Sequence, residues 1–301
     1  MKRIFLKMTK SKFHFVTKLI LMVFFTIITA SCASDNEQPP EAPEIPSEIS
    51  QEIKDLIYFR GDENAPIVLI NAQGGPDNVL ATEEVNFISE NFNTTDILTV
   101  NVHQAQTLHP NILDDTDITL NQAITFNAES IEILDQVITY FKNEGRTVYV
   151  LGVSFGAFMV QDLIATKGID TADRYLIMVG RLDINNSIWQ ALVEGRYGFF
   201  ENGITPVIDA DPDPDVVERN IGRIAAGLAM NRYTQLLNPI EDLSKVTYVY
   251  GTTDEAVGSL TTEEVQFLES KNVNIIAGNG DHDETINNFF QQAFNEAFGI
   301  E

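Results

Sequence analysis

The chain predicts an α/β fold, a mostly parallel central sheet with helices on both faces. Three observations carry that expectation. Seven short apolar runs alternate with stretches of helical periodicity from about residue 54 to the C-terminus. Most runs are continuously apolar, as strands buried on both faces must be. At 301 residues the chain is long enough for one large domain with a substantial core.

In order, the runs are Leu56–Phe59, Ile67–Ile70, Ile97–Val100, Val148–Leu151, Tyr175–Val179, Val246–Tyr250 and Val273–Ala277. Between the third and fourth, Ile131, Leu134, Ile138 and Phe141 recur at helical spacing, and Gly145 ends the pattern. Residues 157–167 read as a helix directly after the fourth run. Thr261 and Glu264 form a capping-box pattern ahead of another. The last helix is the clearest, with Ile286, Phe289, Phe290, Ala293, Phe294, Ala297 and Phe298 on one face.

One interval breaks the rhythm. About sixty residues separate the fifth run from the sixth, more than a single crossover needs. Residues 181–240 are expected to form a helical cap over the C-terminal edge of the sheet, inserted after the strand at 175–180. They hold an aromatic group (Trp189, Tyr197, Phe199, Phe200), an acidic loop, and an apolar helical pattern through Ile221, Ile224, Leu228 and Leu236. The aromatics read as cap core, with a substrate wall as the alternative. The acidic loop, Asp209 to Asp215, lacks the Gly and Glu of a calcium loop and reads as a solvated turn. No metal or cofactor is expected.

The first residues carry an address. A basic stretch precedes a short apolar run, Leu19 to Ile28, and Thr29-Ala30-Ser31-Cys32 follows. The run is too short to span a bilayer comfortably. Small residues before a Cys resemble the lipobox of bacterial lipoproteins, although Thr29 stands where Leu is commonest. The resemblance implies a signal peptide over 1–31 and a diacylglyceryl group on Cys32, the chain's one cysteine. It also implies a lipid anchor in the bacterial cell envelope, at the outer membrane. Ala33-Ser34-Asp35-Asn36-Glu37 resembles the surface-export signal of some Bacteroidetes lipoproteins. An uncleaved anchor and an ordinary secretory signal are the alternatives. Residues 32–50 are polar and proline-rich and read as a disordered tether, with the folded domain over 51–301.

The charge is lopsided. Lys and Arg number 19 against 44 Asp and Glu, and six of the basic residues lie before residue 32. The remainder holds 13 against 44, a formal −31. Such a surface repels phosphate backbones and argues against nucleic acid as a partner.

The chemistry centres on Gly152-Val153-Ser154-Phe155-Gly156, set between the fourth run and its helix. A strand–turn–helix of this pattern lifts the Ser154 hydroxyl out of the sheet. A Ser hydroxyl attacks well only when a base takes its proton. Of the four histidines, His14 lies in the signal segment, and His103 and His109 precede the serine. His282 follows the last run at a strand end, where an imidazole can overhang the active edge. Asp254, after the sixth run, is the first choice to orient that imidazole. Asp183, after the fifth, is the alternative. Glu255, Asp281 and Asp283 read as solvated loop charges.

The order Ser154, Asp254, His282 resembles the catalytic triad of the α/β-hydrolase superfamily. The resemblance runs from about residue 54 to the C-terminus. It implies nucleophile, acid and base in that order. Asn71-Ala72-Gln73-Gly74-Gly75-Pro76 resembles the family's His-Gly-Gly-Pro oxyanion loop, with Gln73 where many members have His. Gly74, Gly75 and the Phe155 N–H would then bind the oxyanion. The implied activity is that of a serine hydrolase, with a small-molecule carboxylic ester as substrate. A proline-aminopeptidase-like serine peptidase and a non-catalytic hydrolase-fold binding lipoprotein are the alternatives.

Overall fold

The computed structural model describes residues 48–301. The signal segment, Cys32 and most of the expected tether lie outside the described residues. The tether, expected through residue 50, is corrected at its end. Ile49 is buried in the core, and the Ser50 N–H donates to the Tyr140 hydroxyl at 3.0 Å. Burial of one isoleucine side chain ties the chain down there.

Every apolar run becomes a strand. After a turn of helix, α1 (Gln51–Lys54), come β1 (Ile57–Arg60), β2 (Ile67–Ala72), α2 (Thr82–Asn91) and β3 (Ile97–Val102). Two short helices, α3 (Ala105–Leu108) and α4 (Asn111–Asp114), lead to the long α5 (Leu120–Asn143). Then come β4 (Thr147–Val153), α6 (Phe155–Lys167) and β5 (Arg174–Met178). The strands pair in the order β1-β3-β2-β4-β5, and two later strands complete the sheet: β8 (Val246–Gly251) beside β5, then β9 (Asn274–Gly278). All pairs are parallel except β1 with β3, at one edge. The helices α10 (Thr262–Ser270) and α11 (His282–Phe298) follow β8 and β9.

Successive strand residues face opposite cores, as the period of two requires. Val68, Ile70, Val148 and Val150 share one cluster with Val137 and Phe141 of α5 and Val160 and Leu163 of α6. Leu69, Leu151, Leu176 and Val249 share the other with Ile88 of α2 and Phe294 and Phe298 of α11. Phe294 is fully buried between Phe92, 4.5 Å away centre to centre, and Phe290, at 4.7 Å. Burying such a ring contributes about 2–3 kcal/mol.

The cap differs from expectation. Residues 181–240 hold α7 (Asn186–Val193), α8 (Val216–Ala229) and the short α9 (Tyr233–Leu236). They also hold a two-stranded antiparallel hairpin, β6 (Gly198–Glu201) with β7 (Thr205–Ile208), so the cap is not purely helical. Asn202 and Gly203 turn the hairpin at φ 54° and 71°, the left-handed conformation these two residue types adopt most readily.

The strand order positions the site. β3 and β4 flank β2 on opposite sides. The order reverses between β2 and β4, and in such sheets the C-terminal strand ends at the reversal are where a ligand binds. Ala72 and Gly152 are register partners there. The Gln73–Pro76 loop and Ser154 therefore leave the sheet side by side.

Candidate active site

Ser154 sits between β4 and α6 at φ 54° and ψ −116°, a strained turn. Glycine on either side makes the turn possible. A Cβ on Gly156 would lie 2.0 Å from the Ala72 carbonyl oxygen, and one on Gly152 would lie 2.3 Å from that of Gly156. The Ser154 N–H donates to the Met178 carbonyl at 3.0 Å. The next residue, Val179, is itself left-handed at φ 45°, an outlier for a β-branched side chain. Full burial and a 2.8 Å bond from its N–H to the Val249 carbonyl hold it there. Two strained residues on adjacent strand ends cost about 1–3 kcal/mol each.

Three side chains predicted from three separate strand ends meet. His282 Nε2 lies 3.0 Å from Ser154 Oγ, and His282 Nδ1 lies 2.8 Å from Asp254 Oδ2. Asp254 is 1% exposed. Its Oδ1 accepts the Ala256 and Val257 N–H groups at 2.9 and 3.0 Å, so both oxygens are engaged. Burial lowers the His282 pKa, but the Asp254 hydrogen bond and the charges of Asp254, Asp283 and Asp281 outweigh it, and the net shift is upward.

His282 is the first residue of α11 rather than a loop residue. Asp281 caps that helix, its Oδ1 accepting the Glu284 N–H at 2.8 Å. The expectation of a solvated loop charge at Asp281 is thereby corrected: its carboxylate fixes the helix end that carries the imidazole. Asp183, the alternative acid, is used elsewhere. Its Oδ2 accepts the Thr234 hydroxyl and its Oδ1 the Thr234 N–H at 3.3 Å. His103 pairs through Nδ1 with the Thr107 hydroxyl at 2.9 Å, and His109 is exposed at the end of α3. In the acidic cap loop, Asp213 Oδ1 accepts the Asp215 N–H, and Asp215 caps α8. The cap aromatics divide: Phe200 is buried, Trp189 packs on the core, and Tyr197 is exposed and stacked on Phe199.

The oxyanion loop departs from expectation. The Phe155 N–H donates to the Gly74 carbonyl at 3.0 Å, and the Gly74 N–H donates to the Glu84 carboxylate. Gly74 and Phe155 therefore do not present two free donors to one point. Glycine flexibility at 74 and 75 lets the peptide turn its carbonyl toward the Phe155 N–H. The loop is held from behind by buried amides. Gln73, 1% exposed, donates through Nε2 to the Gly75 and Val79 carbonyls, and its Oε1 accepts the Ala81 N–H. Gln104 donates to the Gln73 carbonyl at 3.1 Å. Asn71 donates to Glu84 and, at 3.0 Å, to its register partner Asn101. Burial pushes the Glu84 carboxyl up, and the Asn71 and Gly74 bonds pull it back in part. Sequence reasoning found none of this network. The available signal was an Asn in each of two neighbouring strands, at matched register.

No protein-family model matches the chain, and no curated protein matches it in sequence. Solved structures do match. An α/β-hydrolase enzyme from a Medee basin deep-sea metagenome library aligns with a TM-score of 0.52 at 12% identity, over 81% of this chain and 94% of that one. A highly thermostable carboxyl esterase from Bacillus coagulans, solved in complex with glycerol, gives 0.50 at 11% identity, over 81% and 93%. Identity this low speaks to the path of the chain and not to its reaction. On that path, and on the sheet order that produces it, the chain has the α/β-hydrolase fold.

Proposed function

We propose that the protein is a serine hydrolase of carboxylic esters, working through an acyl-enzyme. The observation that carries this reading is the continuous hydrogen-bonded chain from Ser154 through His282 to buried Asp254. In the first step Ser154 Oγ bonds to the ester carbonyl carbon as its proton passes to His282 Nε2. The C–O bond to the alcohol then breaks, and His282 returns that proton to the leaving oxygen. Water repeats the sequence on the acyl-enzyme, releasing the acid and restoring Ser154. Asp254 holds the tautomer with the proton on Nδ1 and stabilises the imidazolium.

Oxyanion stabilisation requires one rearrangement. The peptide joining Gly74 and Gly75 carries a carbonyl on one side and the Gly75 N–H on the other. Rotating it frees the Phe155 N–H and brings the Gly75 N–H toward the same place. Two such donors are worth several kcal/mol in the transition state, about 3–4 for one removed donor.

A peptidase would need a carboxylate free to hold a substrate amine. Of the two acids beside the loop, Glu84 is already engaged by Asn71 and Gly74, and Asp77 is exposed. Hydrolysis of p-nitrophenyl esters against aminoacyl amides separates the two. Turnover of esters alone is the expected result, and preference for the amides would replace the ester reading. We also propose that a lipid on Cys32 tethers the domain to the cell envelope.

A further inference from the structure

The segment that carries Asp254 is held from two sides. On the sheet side, the Thr252 and Thr253 N–H groups donate to the Gly278 and Gly280 carbonyls at 2.8 and 3.1 Å. On the other side lies the cap hairpin. The Phe200 N–H donates to the Glu255 carbonyl, and the Ser259 N–H donates to the Gly203 carbonyl, both at 2.8 Å. Both bonds fall just after Asp254, at Glu255 and Ser259, as the two sheet-side bonds fall just before it, at Thr252 and Thr253. The hairpin is anchored beneath by the Phe200 ring, 1% exposed, with the Arg181 guanidinium 5.2 Å from its centre. Arg181 in turn pairs with buried Glu264 at 3.4 Å.

At the hairpin tip, against Thr253 and Asp254, the contact is backbone on backbone. A Cβ on Gly203 would lie 2.9 Å from Thr253 Cα, 3.0 Å from its carbonyl carbon and 3.1 Å from the Asp254 nitrogen. No flexible side chain is there to yield. Asp254 has no slack either, since one oxygen takes two loop N–H groups and the other takes His282.

We infer that Gly203 is a positioning residue for the acid: the hairpin tip sets where the Asp254 backbone sits and so keeps its carboxylate within reach of His282. The cap is thereby coupled to the chemistry and not only to substrate shape. This inference rests on the hydrolytic reading of Ser154, His282 and Asp254.

The test compares Gly203→Ala with Gly145→Ala. Gly145 has a similar positive φ, 78°, but nothing within 4 Å of a built Cβ, so it isolates backbone strain from contact. Each purified full-length protein is reacted with a fluorophosphonate across a pH series. In Gly203→Ala, labelling of Ser154 should slow about tenfold to a hundredfold, the usual effect of a displacement near 1 Å. The acidic limb of its profile should also move to lower pH. His282 faces Asp254, Asp281, Asp283 and Glu255, and only Asp254 is withdrawn, leaving burial to depress the imidazole. Gly145→Ala should match wild type in both rate and limb. Phe200→Leu, which loosens the anchor but keeps the backbone bonds, should move both readouts in the same direction by less. Wild-type rate and limb in a folded Gly203→Ala would overturn the inference, as would equal losses in both glycine variants. If Gly203→Ala does not fold, a folded Phe200→Leu with wild-type rate and limb overturns it. A wild type that takes no label overturns the hydrolytic reading itself, and this inference with it.

Discussion

The amide N–H of Phe155 donates to the carbonyl oxygen of Gly74 across 3.0 Å, so the donor best placed for an oxyanion is already engaged. An adduct on Ser154 has to displace that carbonyl. In a crystal structure of the phosphonylated protein, the phosphoryl oxygen should accept the Phe155 N–H, with the 74–75 peptide rotated. Gly75→Pro removes the second donor and should lower kcat about a hundredfold. A retained Phe155–Gly74 bond in the adduct would mean that no rotation occurs.

The acids should rank unequally. Asp254→Asn removes the carboxylate that fixes the imidazole tautomer and should lower kcat about ten-thousandfold. Asp183→Asn disturbs two bonds to Thr234 in the cap, away from His282, and should change kcat within a few-fold. Steady-state kinetics on one ester decides the matter, and the reverse ranking would move the acid to the strand before the cap.

The pH profile follows from the sign of the His282 shift. The base works only as neutral imidazole, so kcat/KM rises with pH through its pKa. The His282 pKa lies above the ordinary value of 6.5, so the acidic limb of kcat/KM should have its midpoint above 6.5. In Asp254→Asn the raising partner is gone and burial remains, so the limb should move to lower pH. A wild-type midpoint at or below that of Asp254→Asn would contradict the His–Asp pairing.

Much of this was legible in the residues. The seven strands could be read because burial on both faces leaves a continuous apolar run, a local signature. Ser154, Asp254 and His282 could be paired because each follows such a run, and strand ends on one edge of a parallel sheet are neighbours. The β6–β7 hairpin escaped notice because its strands have four residues each and one contains Pro206. Its signal, Asn202-Gly203 between short apolar segments, was present. The amides behind the oxyanion loop escaped for a different reason. Asn101 and Gln104 have partners far along the chain, and Gln73 bonds to its own irregular loop; sequence spacing shows neither. The orientation of the 74–75 peptide is less legible still, because two glycines accept either state at little cost.

The anchor proposal gives a prediction about location. One acyl chain binds membranes only marginally, and a diacylglycerol on Cys32 would supply two. Among the described residues no helix is long and apolar enough to cross a membrane. Cys32→Ser should therefore move the protein out of the membrane fraction, or leave it unprocessed, with the hydrolase domain still active. Mass spectrometry of the wild type should show lipid on Cys32. An unmodified N-terminus beyond residue 32, on a soluble protein, would mark the segment as an ordinary secretory signal.

The central claim is that Ser154 is an activated nucleophile, and covalent labelling tests it most directly. A fluorophosphonate forms a bond from phosphorus to the serine oxygen and expels fluoride, and it does so quickly only where a base takes the proton. The wild-type protein should be labelled at Ser154, with the site identified by peptide mass spectrometry, and Ser154→Ala should take no label. Equal labelling of the two proteins, or a folded wild type that takes none, would contradict the account.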